Sequence, residues 1–480
     1  MDPAEAHRAV YEQLGGTSDD PSLRCDGWQV DGDTVSLHYT IDGLASVTET
    51  VRFPDVDLAA RLGPATRGAL DVLHLAACTS YYKAVIPRRV EVPTSDPAAL
   101  AMVRALLDDG LGEFAAVNGL DLTGWTEVVG STAPRAGADD GPAWPHAGNG
   151  DGTVAGRPAA AEPGHEEREP RQLGVVVPIG GGKDSAVTAM LAVREGLDAI
   201  GFAVNPRPSM ERTAAATGLE LTTAHRRLDP QLLAWNDAGA LNGHVPITAI
   251  VASIACVAAT LTGRGDVLLS NEGSADAPTR TIDGRAVNHQ FSKSSAFETL
   301  HRAALSSATG GATRAVSVLR PLPELVVAAA FVHLGAPLAA VNSCNRAYSL
   351  TRERVEWCGE CPKCTFVQLM LAPFMPPTAF TDATGFDALA RPDLVERFAD
   401  LTDPARKPYE CVGTVEEVQL ALDLLAEDPA WGDHAAVAAL GRRDRDADVR
   451  FRAMVTAVDP SGLPGPYAGA LQRLLTELAP

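Results

Sequence analysis

The sequence predicts an α/β fold, with a parallel-sheet nucleotide domain between an N-terminal α+β domain and a helical C-terminal region. Three observations predict it. The unbroken β-branched run Val175, Val176 and Val177 drops into Gly180-Gly181-Gly182 and then into the helix-forming stretch Ser185 to Val193, as a strand buried on both faces does when it feeds a helix. Two further apolar segments, Ala199 to Val204 and Asp266 to Ser270, each end in polar residues, Asn205-Pro206 and Asn271-Glu272, as strands alternating with helices should. From Pro377 onward amphipathic helical spacing prevails, closing with Leu471 to Leu478.

The bulk composition narrows the function. With 480 residues and 46% hydrophobic content the chain has room for two or three domains with their own cores. Lys+Arg 40 against Asp+Glu 61 leaves a formal charge of -21, which repels phosphate backbones and anionic lipid. Nucleic acid and membrane are therefore not expected as partners. The opening MDPAEAHRAV carries no basic region before an apolar core, and no stretch is both long and charge-free enough to span a bilayer. A cytoplasmic location is expected. Three of the eight cysteines crowd into Cys358-Gly-Glu-Cys361-Pro-Lys-Cys364, which suits a reducing compartment and not a disulfide framework.

Taken in order, Thr34 to Phe53 alternates apolar and polar residues around Asp42-Gly43, the pattern of a β-hairpin exposed on one face. Helical segments follow around Leu58 to Cys78 and Asp96 to Asn118. Between them Tyr81, Tyr82 and Lys83 fit either a core-packing corner or a substrate contact, with Lys83 able to meet an anion. The segment from Glu127 to Arg171 is poor in large apolar residues and reads as a disordered linker. The expected divisions are thus 1–126, an N-terminal α+β domain; 127–171, the linker; 172–376, the nucleotide domain; and 377–480, the helical region.

Within the nucleotide domain, ligands of an open parallel sheet sit beyond the carboxyl ends of its strands. That places Asn205 to read a base or ribose, and Asn271 and Glu272 beside the same crevice, although such residues also serve simply as turns or caps. His244, ahead of the long apolar helix Ile247 to Leu261, is open to either reading as well. The stretch Asn288 to Ser294 is denser in reactive side chains than a plain loop needs. His289 can move a proton and Lys293 can neutralise phosphate or carboxylate charge. Cys344, Cys358, Cys361 and Cys364, separated by thirteen, two and two residues, suit a structural tetrahedral Zn²⁺. Lys407 and Cys411 precede a capping box, Thr414 with Glu417, and are candidates for a lid over substrate.

The glycine turn itself is neither a Walker A loop, because Asp184 follows Lys183, nor a dinucleotide fingerprint, because Ser185 stands where a third glycine is needed. GGGKDS resembles the SGGxDS loop of the PP-loop ATP pyrophosphatases, with Gly180 in place of the first serine. That resemblance implies a site that cuts ATP between its α and β phosphates and adenylates a substrate oxygen. Gly180, Gly181, Gly182 and Ser185 would hold pyrophosphate, Asp184 a Mg²⁺, and Lys183 the developing charge. The cysteine layout is similar to the zinc knuckle of the 7-cyano-7-deazaguanine synthase branch, which implies an amidating or nitrile-forming synthase as the alternative.

A closer resemblance extends over nearly the whole chain outside the linker. LHYTIDG, TETVRFP, LHLAACTSYYKAVIP, GEFAAVNGLDL, PIGGGKDS, LLSNEGSADAPT, NHQFSKS, SCNRAYS, CGECPKC and KPYECVGT, in that order, resemble the MurL family of ATP-dependent UDP-N-acetylmuramoyl-L-alanyl-L-glutamate epimerases. This implies inversion of the terminal L-glutamate of a UDP-sugar dipeptide, with ATP and Mg²⁺ as cofactors, in peptidoglycan precursor synthesis. For the proton carriers the candidates are His289, then Cys411 and Glu272.

Overall fold

The computed structural model describes residues 2–54, 56–131, 174–282, 284–348, 356–443 and 445–479. Its strands are β1 (Ser22–Asp31), β2 (Thr34–Ile41), β3 (Ala45–Arg52), β4 (Arg89–Val92), β5 (Glu127–Gly130), β6 (Val175–Pro178), β7 (Ala199–Val204), β8 (Leu221–Arg227), β9 (Asp266–Leu269), β10 (Arg280–Ile282), β11 (Arg285–Val287) and β12 (Arg314–Ser317). All but the small β10–β11 hairpin belong to one ten-stranded sheet, ordered β12-β9-β6-β7-β8-β3-β2-β1-β4-β5.

The sheet is mixed. From β12 to β8 every neighbouring pair is parallel, and from β8 through β3 and β2 to β1 the pairs are antiparallel. The sequence divides the N-terminal and nucleotide segments at the linker, yet here they share one sheet through the β3–β8 pair, where Val51 lies opposite Arg226. A buried ion pair seals that seam: Arg226 Nε and Nη2 reach the two Glu49 oxygens at 2.6 and 2.9 Å. The start of the segment read as a linker, Glu127–Gly130, is the edge strand β5, parallel to β4. Residues 132–171 of that segment lie outside the described residues.

The sheet is covered on both faces, and the pleat decides which side each residue serves. Val176, Phe202, Ala224 and Val267 pack with helices Pro64–Ala77, Ile247–Leu261 and Ser295–Thr309. Val175, Val177, Leu268 and Val316 pack the other way, against helices Lys183–Arg194, Glu324–His333, Pro362–Leu371 and Val415–Glu427. Because β12, β9 and β6 are neighbours and parallel, the loops leaving their carboxyl ends meet on one edge of the sheet. Among the described residues no single helix is long and apolar enough to cross a membrane.

Candidate active site

The turn after β6 is shaped by its glycines. Gly181 has φ +81°, in the left-handed region that side chains avoid, and a Cβ at Gly182 would stand 2.7 Å from Ser343 Oγ. The segment entering the cysteine cluster braces the turn from outside, with Asn342 N–H donating to Gly181 O at 2.7 Å. Gly182 caps helix Lys183–Arg194, so the helix N-terminus opens toward the crevice with its free N–H groups.

Lys183 is buried at 1% exposure between two carboxylates, Asp184 and Glu324, the latter at 2.9 Å. Burial opposes its charge, but the two carboxylates outweigh it and raise the pKa. Asp184, Glu272 and Glu324 bring carboxylate oxygens within 4.8 Å of one another. Burial first, then the charges of Asp184 and Glu272, push Glu324 up to about 7, and its Oε2 is buried without a hydrogen-bond partner. Three carboxylates, one of them with an unsatisfied oxygen, fit a hard cation such as Mg²⁺.

A second cluster adjoins this one through Lys293. Its Nζ donates to Gln290 Oε1 and to Cys411 Sγ, each at 3.3 Å. Burial opposes its charge, while Cys411, Glu272 and Asp184 raise its pKa. At Cys411 burial favours the thiol, but Lys293, a hydrogen bond from His289 and the charge of Lys363 prevail and bring it down to about 6. His289 is raised to about 9: burial works against the imidazolium, and hydrogen bonds to Cys411 and Glu113 overcome it. Glu113 Oε2 bonds His289 Nδ1 and lies 3.8 Å from His244 Nδ1. The two imidazoles are 4.4 Å apart, and burial followed by the His289 charge pushes His244 down to about 4. Lys363 Nζ donates to Cys411 O, while Glu410 is raised chiefly by burial. Both shifts run toward a thiolate at Cys411 and an imidazolium at His289.

The four cysteines Cys344, Cys358, Cys361 and Cys364 gather with Sγ separations of 3.9, 3.7 and 3.4 Å for the pairs 344–361, 358–364 and 361–364. A tetrahedral zinc with Zn–S near 2.3 Å requires sulfurs about 3.8 Å apart. Cys361 N–H also donates to Cys358 Sγ at 3.3 Å, which orients that sulfur within the cluster. All eight cysteines are free.

Other residues singled out in the sequence are spent on contacts within the fold. Tyr81 and Tyr82, at 0% exposure, belong to the core and not to the crevice. The Tyr81 hydroxyl accepts from Asp229 N–H at 3.1 Å and the Tyr82 hydroxyl pairs with Thr126. Lys83 donates to Asn242 Oδ1 at 2.7 Å, bracing the loop that carries His244, and burial lowers it to about 8. Asn205, at φ +50°, spends its amide on both backbone groups of Arg226, an extra rung between β7 and β8. Asn271 is buried on Ser317 Oγ at 3.0 Å, and Ser185 Oγ turns back to Gly182 O at 3.0 Å. Lys407 is buried beneath Arg280, whose Nε donates to its carbonyl at 2.9 Å. The Thr414–Glu417 capping box forms as expected and anchors the loop holding Cys411. Glu113, Glu324, Lys363 and Glu410 went unread; only Glu324, an acid opening the otherwise apolar helix Glu324–His333, offered a signal.

Two family models match the chain: the MurL N-terminal domain over residues 19–318 and the MurL C-terminal domain over residues 340–453. The chain belongs to the MurL family. A UDP-N-acetyl-alpha-D-muramoyl-L-alanyl-L-glutamate epimerase of Salinispora tropica is 39% identical over 415 residues, 84% of each chain. Proteins of the same name from a Micromonospora species and Xanthomonas oryzae pv. oryzae are 37% and 35% identical, covering 90% and 84% of this chain and 92% and 84% of their own. The MurL N-terminal match contains Glu113, Asp184, Glu272, His289 and Lys293, whereas the C-terminal match contains the four cysteines, Lys363 and Cys411. Both MurL segments therefore contribute to this site, and Glu324 falls between them.

Proposed function

We propose that this chain inverts the terminal L-glutamate of UDP-MurNAc-L-Ala-L-Glu to D-glutamate in peptidoglycan precursor synthesis, consuming ATP to AMP and pyrophosphate on a PP-loop-type nucleotide fold. The observation that carries the reading is Lys293. This one cation hydrogen-bonds the Cys411 thiol while acting electrostatically on Asp184 and Glu272, so a phosphate-facing end and a proton-transfer end share one crevice. The names of the three relatives supply the substrate.

A free carboxylate resists loss of the neighbouring α-proton, because the product would carry two adjacent negative charges. In the proposed first step a glutamate α-carboxylate oxygen attacks the α-phosphorus of ATP, and the bond to the bridging oxygen breaks to release pyrophosphate. Lys183 and the glycine-turn N–H groups offset the departing charge. Asp184, Glu272 and Glu324 would hold a Mg²⁺, which would supply further neutralisation at the phosphates. The resulting acyl adenylate has a carbonyl that accepts the carbanion charge as an enolate.

The Cys411 thiolate then removes the α-proton, and the His289 imidazolium returns one on the opposite face. The α-carbon parts sulfur from ring during this exchange. When product leaves, their mutual hydrogen bond re-forms and carries the proton from sulfur back to nitrogen, restoring the starting pair. Water attacks the acyl carbon and frees AMP. The four cysteines would hold a structural zinc, which would fix Lys363 under the Cys411 loop.

The test is to incubate the protein with ATP, Mg²⁺ and UDP-MurNAc-L-Ala-L-Glu, then to measure AMP and the chirality of glutamate. D-glutamate should accumulate with AMP, independently of added ammonium. Equal epimerisation without any adenine nucleotide would overturn the proposal, and ammonium-dependent product would favour a synthase.

A further inference from the structure

We infer that Glu113 is the positioning residue that holds His289 as the proton-loaded partner of Cys411, so that a side chain from the N-terminal segment completes the proton-transfer pair. The inference rests on the epimerase reading and extends it to a residue outside both the glycine turn and the Cys411 loop.

The geometry is specific. Glu113 stands in the short helix Gly112–Val117. Among the described residues its ion pairs are with His289 and His244 alone. Side-chain exposures of 14% for Glu113 and 13% for His289 keep the contact largely out of water, where a carboxylate–imidazole bond is strongest. With Nδ1 committed to Glu113, the remaining ring nitrogen is left for the thiol. The backbone fixes the ring as well: His289 N–H donates to Thr279 Oγ1 at 3.1 Å.

Glu113 is not needed to attach its helix to this loop. Val287 of the β10–β11 hairpin already lies against Gly112, and Arg285 ties the preceding helix Pro97–Asp108 to the same hairpin, donating to Asp108 O at 2.8 Å. A clamp is therefore present one turn away, which leaves the Glu113 carboxylate free for the imidazole. The groups facing the pair are His244, Glu410, Lys293 and Lys363. The two lysines favour the thiolate, but they disfavour a cation next to it. The Cys411 thiolate and the acids counter that, and Glu113 is the acid in hydrogen-bond contact with the ring. His244 remains neutral at physiological pH, so the pair carries a single mobile proton.

Removing the Glu113 charge should lower the pKa of His289 and, by weakening the imidazolium, raise that of Cys411. The pH range in which thiolate and imidazolium coexist then narrows from both sides. The test compares the full-length chain with Glu113→Gln and Glu113→Asp in three measurements. These are pyrophosphate release with ATP, Mg²⁺ and UDP-MurNAc-L-Ala-L-Glu; exchange of the glutamate α-proton with D₂O; and the pH dependence of iodoacetamide alkylation at Cys411, with Cys411→Ser as the blank.

In Glu113→Gln, α-proton exchange should fall about 100-fold relative to pyrophosphate release, and the alkylation midpoint should rise by about one pH unit. Glu113→Asp, which keeps the charge on a shorter stem, should recover part of both. Equal loss of the two half-reactions, or an unmoved alkylation midpoint, would make Glu113 a structural clamp and overturn the inference. If the midpoint moves while the wild-type chain releases no pyrophosphate with the dipeptide, the epimerase reading falls and the Glu113–His289–Cys411 assignment stands.

Discussion

Between Gly180 and Ser185 six consecutive residues form the glycine turn, the proposed nucleotide end of the crevice, whereas the proposed proton-transfer end draws Glu113 and His289 from positions 176 apart and Lys293 and Cys411 from positions 118 apart. The first is dictated locally: a strand buried on both faces, a turn that admits only glycine at Gly181, and a helix N-terminus. The second exists only once β3 has paired with β8, the β10–β11 hairpin has docked on the N-terminal helices, and the loop ahead of Thr414 has been capped. Local sequence therefore sets the glycine turn, and tertiary assembly sets the cluster of Glu113, His289, Lys293 and Cys411. The two should fail separately.

The largest effect is expected at the nucleotide end. Lys183→Met removes the cation buried between Asp184 and Glu324, and pyrophosphate release should drop by about 1000-fold or more, with α-proton exchange falling alongside it. Cys411→Ser should separate the two ends: exchange falls by about 100- to 1000-fold, while pyrophosphate release changes far less. Coincident loss in Cys411→Ser would merge the two regions into one functional unit. The same contrast is open to pH. Exchange requires the thiolate, present above about 6, together with the imidazolium, present below about 9. The rate of exchange should thus be bell-shaped between those limits, falling about tenfold per pH unit outside them. Pyrophosphate release should not share the alkaline limb.

This contrast also explains how much was legible before the structure. The turn from Val175 to Ser185, the β2–β3 hairpin, helix Ile247–Leu261, the Thr414–Glu417 cap and the gathering of four cysteines are contiguous or closely spaced patterns, and each takes the expected form. Glu113 is a common residue in an unexceptional helix; nothing local distinguishes it from a solvated acid. Lys363 sits inside the cysteine motif, where attention falls on the sulfurs. Tyr81 and Tyr82 leave two readings open in the sequence, a core-packing corner and a substrate contact. In the fold both rings are buried, Tyr81 next to the Glu49–Arg226 seam and Tyr82 against Thr126. Which way such a pair faces depends on the strand pairing across the seam.

The cysteine cluster links the two regions, because Lys363 lies between Cys361 and Cys364 and donates to the Cys411 carbonyl. Its entry segment also braces the glycine turn through Asn342. Stripping metal with a strong chelator should lower the melting temperature by about 5–10 °C. Exchange should fall about tenfold, since the Lys363 contact is looser but Lys293 and His289 remain. Zinc analysis before and after, with melting followed by calorimetry, checks both. An unchanged melting temperature after complete metal loss would detach the cluster from the fold.

The smallest expected effect lies at Gly180, where the PP-loop pattern has serine. A Cβ added there meets nothing within 4 Å, so Gly180→Ser is sterically free and returns one hydroxyl to the phosphate-facing turn. A neutral hydrogen bond contributes about 0.5–1 kcal/mol net, which corresponds to a KM for ATP lower by about 2- to 5-fold in the pyrophosphate-release assay. The proton-transfer end has no contact with that hydroxyl, so exchange from a preformed adenylate should not change. Gly182 gives the opposite control. Its Cβ would press on Ser343 Oγ at 2.7 Å, displacing the brace that Asn342 and Ser343 provide, and Gly182→Ser should raise the same KM. If Gly180→Ser also raised it, the turn would be shaped for a bare backbone at both positions, and the departure from serine would be a property of this loop's ligand geometry and not a lost contact.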